Sequence, residues 1–202
     1  MPKVDRETTI EALVQAIPYI GSSLATLYFG SKQKRQFYRI ETFYKELEND
    51  ILSMKDRLKG IDQHNPDELS AIIEQMHEKI EKEPLEQKRE FYKNYFKNTL
   101  ISPVKNNYDE RKIFLDILGD ISLLEAEVLK FLNIQTGVID SLSINKEGVE
   151  KAIIQGSLYK LKSWGIITTS LGSISLGGSG GGLHENVEVS EFGKRFINFC
   201  LE

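Results

Sequence analysis

Apolar residues in the first half of the chain recur at spacings of three and four. Phe37, Ile40, Tyr44, Leu47, Ile51, Met54 and Leu58 hold that alternation over the longest stretch, which places them along one side of a helix. The pattern predicts a helix from Ser31 to Lys59, closing near Gly60 and about 40 Å long at 1.5 Å rise per residue. A helix of that length is either the spine of a bundle or a partner for its own copy, and Phe37, Phe43 and Tyr44 favour a globular core over a slim zipper. Asn65 then offers an N-cap before Pro66, with Asp67 and Glu68 in the first turn and Leu69, Ile72, Ile73, Met76 and Ile80 on one face up to Pro84. Leu85, Phe91, Tyr92, Tyr95, Phe96 and Leu100 mark a further helix stopping before Pro103, and Ile113, Phe114, Ile117 and Leu118 a shorter one from about Asp109 to Leu118. The aromatic residues interleave with Lys88, Arg89, Lys93 and Lys97, as on a base-stacking platform, but their helical spacing favours core packing.

Upstream, Thr8 and Glu11 have capping-box spacing, and Ile10, Leu13, Val14 and Ile17 continue the helical pattern to Pro18; after Gly21 it restarts with Leu24, Leu27 and Tyr28. Ala12 to Ser31 is an uncharged run of twenty residues, the length of a membrane span, but Gln15, Pro18, Gly21 and three Ser/Thr before Gly30 make it a poor simple span. Lys32, Lys34, Arg35 and Arg39 follow at once, as in a helix that meets anionic headgroups. Two readings stay open. One is a helical hairpin in a bundle with solvated cations. The other is a membrane- or partner-contacting segment working through Tyr19, Leu24, Tyr28, Phe29, Lys32, Lys34, Arg35 and Arg39.

The pattern then changes. We divide the chain into a helical bundle domain, 1–118, and a second domain, 119–202. Ser122 and Glu125 suit a capping box ahead of Leu124, Val128, Leu129 and Leu132. Val149, Ile153, Leu158, Leu161 and Ile166 can face one core, and Gly156 either separates two short helices or weakens one. Ile167 to Leu176 alternates loosely, "GGSGGG" at 177–182 forms a tip, and Leu183, Val187 and Val189 alternate back, which predicts a β-hairpin. Ser190 caps a last helix that returns Phe192, Phe196 and Cys200 to the core.

The combination of "SLYKLKSWGII", the glycine-tipped hairpin and "VEVSEFGKRF" resembles the recognition-helix end, wing and closing helix of the winged-helix superfamily, over about Ser122 to Glu202. The resemblance implies an α+β winged-helix domain with a β-hairpin wing; together with the helical periodicity upstream, a mainly α chain is expected, an N-terminal multi-helix bundle with one long amphipathic helix followed by that domain. In DNA-binding members it implies that the helix ending at Trp164 enters the major groove, with Lys151, Gln155, Ser157, Lys160 and Lys162 as exposed contact residues. Charge argues against that use. No Lys or Arg stands between Lys162 and Lys194, whereas Glu185, Glu188 and Glu191 lie on or beside the hairpin. From Gly119 onward ten acidic and seven basic side chains leave a net of −3, and phosphate contacts normally carry non-specific affinity. The expectation is a winged helix serving as a protein-contact module, with a DNA-binding transcriptional regulator as the alternative.

The whole layout, with its apolar helical start, a central "ISLLEAEVLKFL", then "LKSWGII" and "VSEFGKRFINFC", resembles bacterial abortive-infection proteins of the alpha type, which are linked to phage defence. That resemblance implies a non-enzymatic protein whose helical part acts at membranes or on partners.

Composition narrows the chemistry. At 202 residues, 40% hydrophobic and 28% charged, the chain can bury a core, and its net charge of −4 does not suit condensation on nucleic acid or anionic lipid as a whole. Lone Cys200 forms no internal disulfide, and no Cys/His spacing suits zinc. The start "MPKVDRETT" has no secretory-signal pattern, so a cytoplasmic address is expected, with peripheral contact at the inner membrane face left open. His64, His77 and His184 lack ligand spacing, "GSSLATLYFGSK" is not a phosphate loop, and the pairs Glu81/Glu83 and Glu125/Glu127 point to different sides of a helix. Trp164 reads as a packing residue and Cys200 as a buried small hydrophobe. We therefore expect no enzyme, cofactor or metal, and a protein partner or a second copy of the chain as the counterpart.

Overall fold

The computed structural model describes residues 31–54, 57, 63–103, 107–174 and 183–202. The N-terminal apolar hairpin with Tyr19, Leu24, Tyr28 and Phe29, the glycine tip, Leu58 and Gly60, and the side chains of Lys32, Lys34 and Phe37 lie outside the described part. The described chain is mainly helical, with a small three-stranded antiparallel sheet near its C-terminal end. Among the described residues no helix is long and apolar enough to cross a membrane. Residue contacts divide the chain into two compact units, 1–119 and 120–202.

The first unit contains α1 (Ser31–Ser53), α2 (Pro66–Lys82), α3 (Glu86–Ile101) and α4, which runs over Tyr108–Asp120. In α1 the expected seam is buried at Ile40, Tyr44, Leu47 and Ile51, joined by Phe43. The helix ends at Ser53, short of the expected Lys59. Ser53 Oγ donates to Asp50 O at 2.7 Å, Met54 N–H divides between Asp50 O and Ile51 O at 3.2 Å each, and Arg57 N–H bonds Met54 O. The last α-type bond, to Asp50 O, is thus shared with a tighter closure to Ile51 O, a second such closure follows at Met54 O, and Met54 is half-exposed.

Asn65 caps α2 as its sequence predicts, its side chain accepting from the N–H groups of Asp67 and Glu68, and Leu69, Ile72, Ile73, Met76 and Ile80 are all buried against α1 and α3. Two cross-ties fix α1 to α2. Arg39 donates through Nε and Nη2 to Glu81 O at 3.2 and 2.6 Å, and the Tyr44 hydroxyl lies 3.4 Å from His77 Nδ1 with the two rings stacked.

The aromatic residues of α3 go to the core: Tyr92, Tyr95 and Phe96 are 1% exposed or less, which settles the stacking-platform question for that helix. Tyr95 Oη donates to Arg111 O on α4 at 2.9 Å. Leu85, expected on the same face, stands at the N-cap and is exposed; in α4 Ile113 is exposed and Leu115 takes the core position instead. Two lysines of α3 are buried and paired. Lys88 Nζ lies 3.0 Å from Glu83 and donates to Gly119 O, while Lys93 Nζ lies 2.9 Å from Glu46 and 2.6 Å from Glu90.

The second unit runs α5 (Leu123–Asn133), β1 (Ile139–Asp140), a 3₁₀ turn over Ser141–Ser143, α6 (Lys151–Ser163), β2 (Ile167–Ile174), β3 (Leu183–Val189) and α7, Glu191–Phe196, which continues as a π-type turn through Leu201. The sheet order is β1-β3-β2, both pairings antiparallel, so β3 is central. The hairpin matches its prediction; β1 does not appear in the sequence pattern. Ser122 and Glu125 form the full capping box of α5. Gly156 interrupts nothing, and α6 is one continuous helix. It ends in a left-handed Gly165 at φ +73, whose N–H bonds Lys162 O while Ile166 N–H reaches back to Leu161 O.

The core of this unit gathers Val128, Leu129 and Leu132 from α5, Ile154, Leu158 and Leu161 from α6, Ile167 and Val187 from the sheet, and Phe196 and Cys200 from the C-terminal segment. Ile153, expected to face this core, is 52% exposed and Ile154 takes its place. The seam that includes Leu158 and Leu161 passes through Ile154 at helical spacing and leaves its neighbour outside.

Candidate interaction surface

On α6, positions 154, 158 and 161 face the core, so Ala152, Gly156, Tyr159 and Ser163 form the opposite stripe, and all four are exposed. That stripe carries no charge. Tyr159 is 75% exposed and is the largest side chain on it, with Ile153 projecting at its edge.

The residues that the winged-helix resemblance implies as nucleic-acid contacts flank this stripe, and the structure treats them differently from one another. Lys151 is exposed. Gln155 is half-buried and donates through Nε2 to Ser141 O at 2.8 Å, which ties α6 to the turn after β1. Ser157, expected to be exposed, is instead buried, and its hydroxyl donates to Ile153 O one turn back. The Leu158 seam draws its neighbour partly into the core, and the hydroxyl satisfies itself on the helix backbone.

Lys160 is held on three sides. Its Nζ donates to Asp120 O at 2.8 Å, pairs with Glu125 Oε2 at 3.1 Å and lies 4.8 Å from the Trp164 ring centroid. The Glu125 side chain is only 8% exposed and also accepts the Ser122 N–H, so this carboxylate is fixed by the capping box before Lys160 meets it. Lys162 pairs with Glu185 of β3 at 3.4 Å, with both side chains 41% exposed. A pair that open contributes little stability, yet it offsets the Lys162 charge beside the hairpin.

Beside α6, a pocket of about 230 Å³ opens between α5, the segment after β1 and α6, lined by Val128, Phe131, Ile144 and Ile154, with Glu127 and Lys146 paired at its rim. Ile134, Val138 and Leu171 are further exposed apolar side chains of this unit. Sequence reasoning missed Tyr159 and Ile153 as surface residues. The signal was present, since Tyr159 falls opposite a seam drawn through Ile154 rather than Ile153.

In the first unit, the basic set proposed for membrane contact is not uniform. Arg35 is exposed, but Arg39 is half-buried and spends its guanidinium on Glu81 O, where it neutralises the C-terminal end of α2 instead of facing solvent. His64 and His77 are buried, and burial holds the His77 imidazole below its ordinary pKa, against the opposing pull of Glu81 and Glu78. Among the described residues, no group of three or more His, Cys, Asp or Glu could hold a metal ion. Cys200 is fully buried.

No family model, no curated protein and no solved structure matches this chain.

Proposed function

We infer that the chain is a non-enzymatic interaction protein whose second unit is a winged-helix domain used for contact with protein. The element order from α5 to α7 and the sheet order β1-β3-β2 support the winged-helix reading, since that fold places its first strand beside the third and its second strand at the edge. The observation that carries the function is the outward stripe of α6. A helix that lies in a DNA groove needs cations free to meet phosphate. Here the stripe is uncharged and topped by Tyr159, Lys160 is locked to Glu125, and Lys162 is paired with Glu185. An exposed tyrosine on an uncharged helix stripe, with an exposed isoleucine on the same helix, has the composition of a protein interface.

We place the protein in a bacterial cytoplasm as a phage-defence component, on the resemblance to abortive-infection proteins. Its N-terminal apolar region then acts on a membrane or a protein partner through Lys32, Lys34 and Arg35; Arg39 drops from that set because of its bond to Glu81 O. Phage plating efficiency on cells expressing the chain tests both parts. Protection should be lost in Tyr159→Asp and Ile153→Asp, and kept in Lys151→Glu and Lys162→Glu. Protection that survives the first pair and fails in the second would favour a DNA-binding regulator, the reading supported by the exposed Lys151 on α6. Flotation with anionic liposomes separates the membrane version from the partner version, since only the former loses binding in Lys32→Glu/Lys34→Glu/Arg35→Glu.

A further inference from the structure

The sheet order leaves β2 as an edge strand. In the register Ile167↔Val189 to Leu171↔Glu185, the bond from Ser190 N–H to Ile166 O identifies the even-numbered positions of β2 as those that bond β3. The N–H and C=O groups of Ile167, Thr169 and Leu171 therefore point away from β3, and among the described residues nothing pairs them. Edge strands are ordinarily guarded by Lys, Pro or an inward charge. From Ile167 to Leu171 the sequence ITTSL holds none of these, and the register irregularity that bends many edges away falls only beyond it, between Leu171 and Ile174.

This neutrality is local. The unit around it has a net charge of −3, with β3 carrying Glu185 and Glu188, so two copies repel on average. Along β2 every cross-strand pair between copies is neutral. Leu171, 69% exposed on the face that buries Ile167 and Val187, is left for a second strand to cover.

We propose that β2 pairs antiparallel with β2 of a second copy of this chain, in a two-fold register centred on Ser170, so that the two three-stranded sheets join edge to edge. In that register Thr169 and Leu171 of opposite copies exchange both backbone bonds, and the two Ser170 residues face each other as a non-hydrogen-bonded pair. Their Cα atoms are then about 4.5 Å apart, within disulfide reach. The surface is separate from the outward stripe of α6, so the pairing stands or falls independently of the partner that stripe meets.

The test uses the full chain. Light scattering after gel filtration, loaded at about 100 µM, should give the mass of a dimer that dissociates on dilution. Ser170→Cys should form a disulfide-linked dimer under mild oxidation, whereas Thr168→Cys, which faces Gly172 of the other copy, should cross-link at least about tenfold more slowly. Thr169→Pro removes an N–H that only the second copy would use, leaving the bonds to β3 intact, and should give a folded monomer by circular dichroism. A wild-type monomer at that concentration overturns the proposal. So does a dimer that survives Thr169→Pro and fails to cross-link through Ser170→Cys, because it would be held by another surface.

Discussion

Gly193 and Gly156 are both helical glycines, and the structure predicts that the same substitution moves stability in opposite directions at the two sites. A Cβ on Gly193 would lie 2.1 Å from Ile166 O and 2.9 Å from Val189 Cγ1. Relief requires displacing the Ile166 carbonyl, which accepts the Ser190 N–H at 2.9 Å and shares the Ser190 hydroxyl with Gly165 O. Losing one such bond costs about 1 kcal/mol and overpacking about 1–3 kcal/mol, against a gain of about 1 kcal/mol in helix propensity. Gly193→Ala should therefore destabilise the second unit by about 2 kcal/mol, lowering its melting temperature by roughly 10 °C for a unit of this size. Gly156 has nothing within 4 Å of the corresponding position, so Gly156→Ala should stabilise by about 0.5–1 kcal/mol. Trp164 is the sole tryptophan and belongs to this unit, so thermal unfolding followed by its fluorescence reads the two variants without interference from the rest of the chain. A neutral or stabilising Gly193→Ala would refute the packing of α7 against the turn that follows α6, and with it the placing of the hairpin base.

Three further outcomes follow from the first unit. Arg39→Ala removes two charge-assisted bonds to Glu81 O and should cost about 1–2 kcal/mol in denaturant unfolding, with Arg39→Lys recovering only part because a point charge cannot keep both. Lys88→Ala should cost about 3 kcal/mol, since it strands the nearly buried Glu83 carboxylate, whereas Lys88→Met with Glu83→Leu should cost much less; equal losses would show that the pair is not behaving as a buried one. His77 has a folded pKa held by burial below its ordinary 6.5, so the unfolded chain binds the proton first. Stability should be full above pH 6.5, fall as pH drops through that value toward the folded pKa, and level off below it; His77→Gln should flatten that part of the profile.

The elements that could be read from sequence are those with a local chemical signature. The Asn65–Pro66 start, the Ser122/Glu125 box and the Ser190 cap each satisfy exposed N–H groups with their own side chains, and all three helices begin where those residues stand. The hairpin was legible because its two strands alternate on either side of a glycine run. What escaped depended on neighbours distant in sequence. β1 is two residues long and exists only because β3 offers Val187 and Asn186 to it. Lys88 and Lys93 look like solvated charges until Glu83, Gly119 O and Glu46 are brought around them. On the candidate surface, Ile153 and Ile154 are equally apolar in sequence, but α6 buries Ile154 and Ser157 and exposes Ile153 and Tyr159. That Glu125 would hold Lys160 could not be seen, because the two stand 35 positions apart.

The outward stripe of α6 is uncharged, and Lys160 and Lys162 beside it are paired with Glu125 and Glu185, so duplex DNA should find little to bind there; the salt dependence of DNA binding measures this. Fluorescence anisotropy with a random-sequence duplex, from about 50 to 200 mM salt, should show no saturable binding at micromolar protein, and a charge reversal at Lys151 and Lys162 should change nothing. Saturable binding whose log K falls with log salt at a slope of about −3 or steeper, and which that reversal abolishes, would contradict the account.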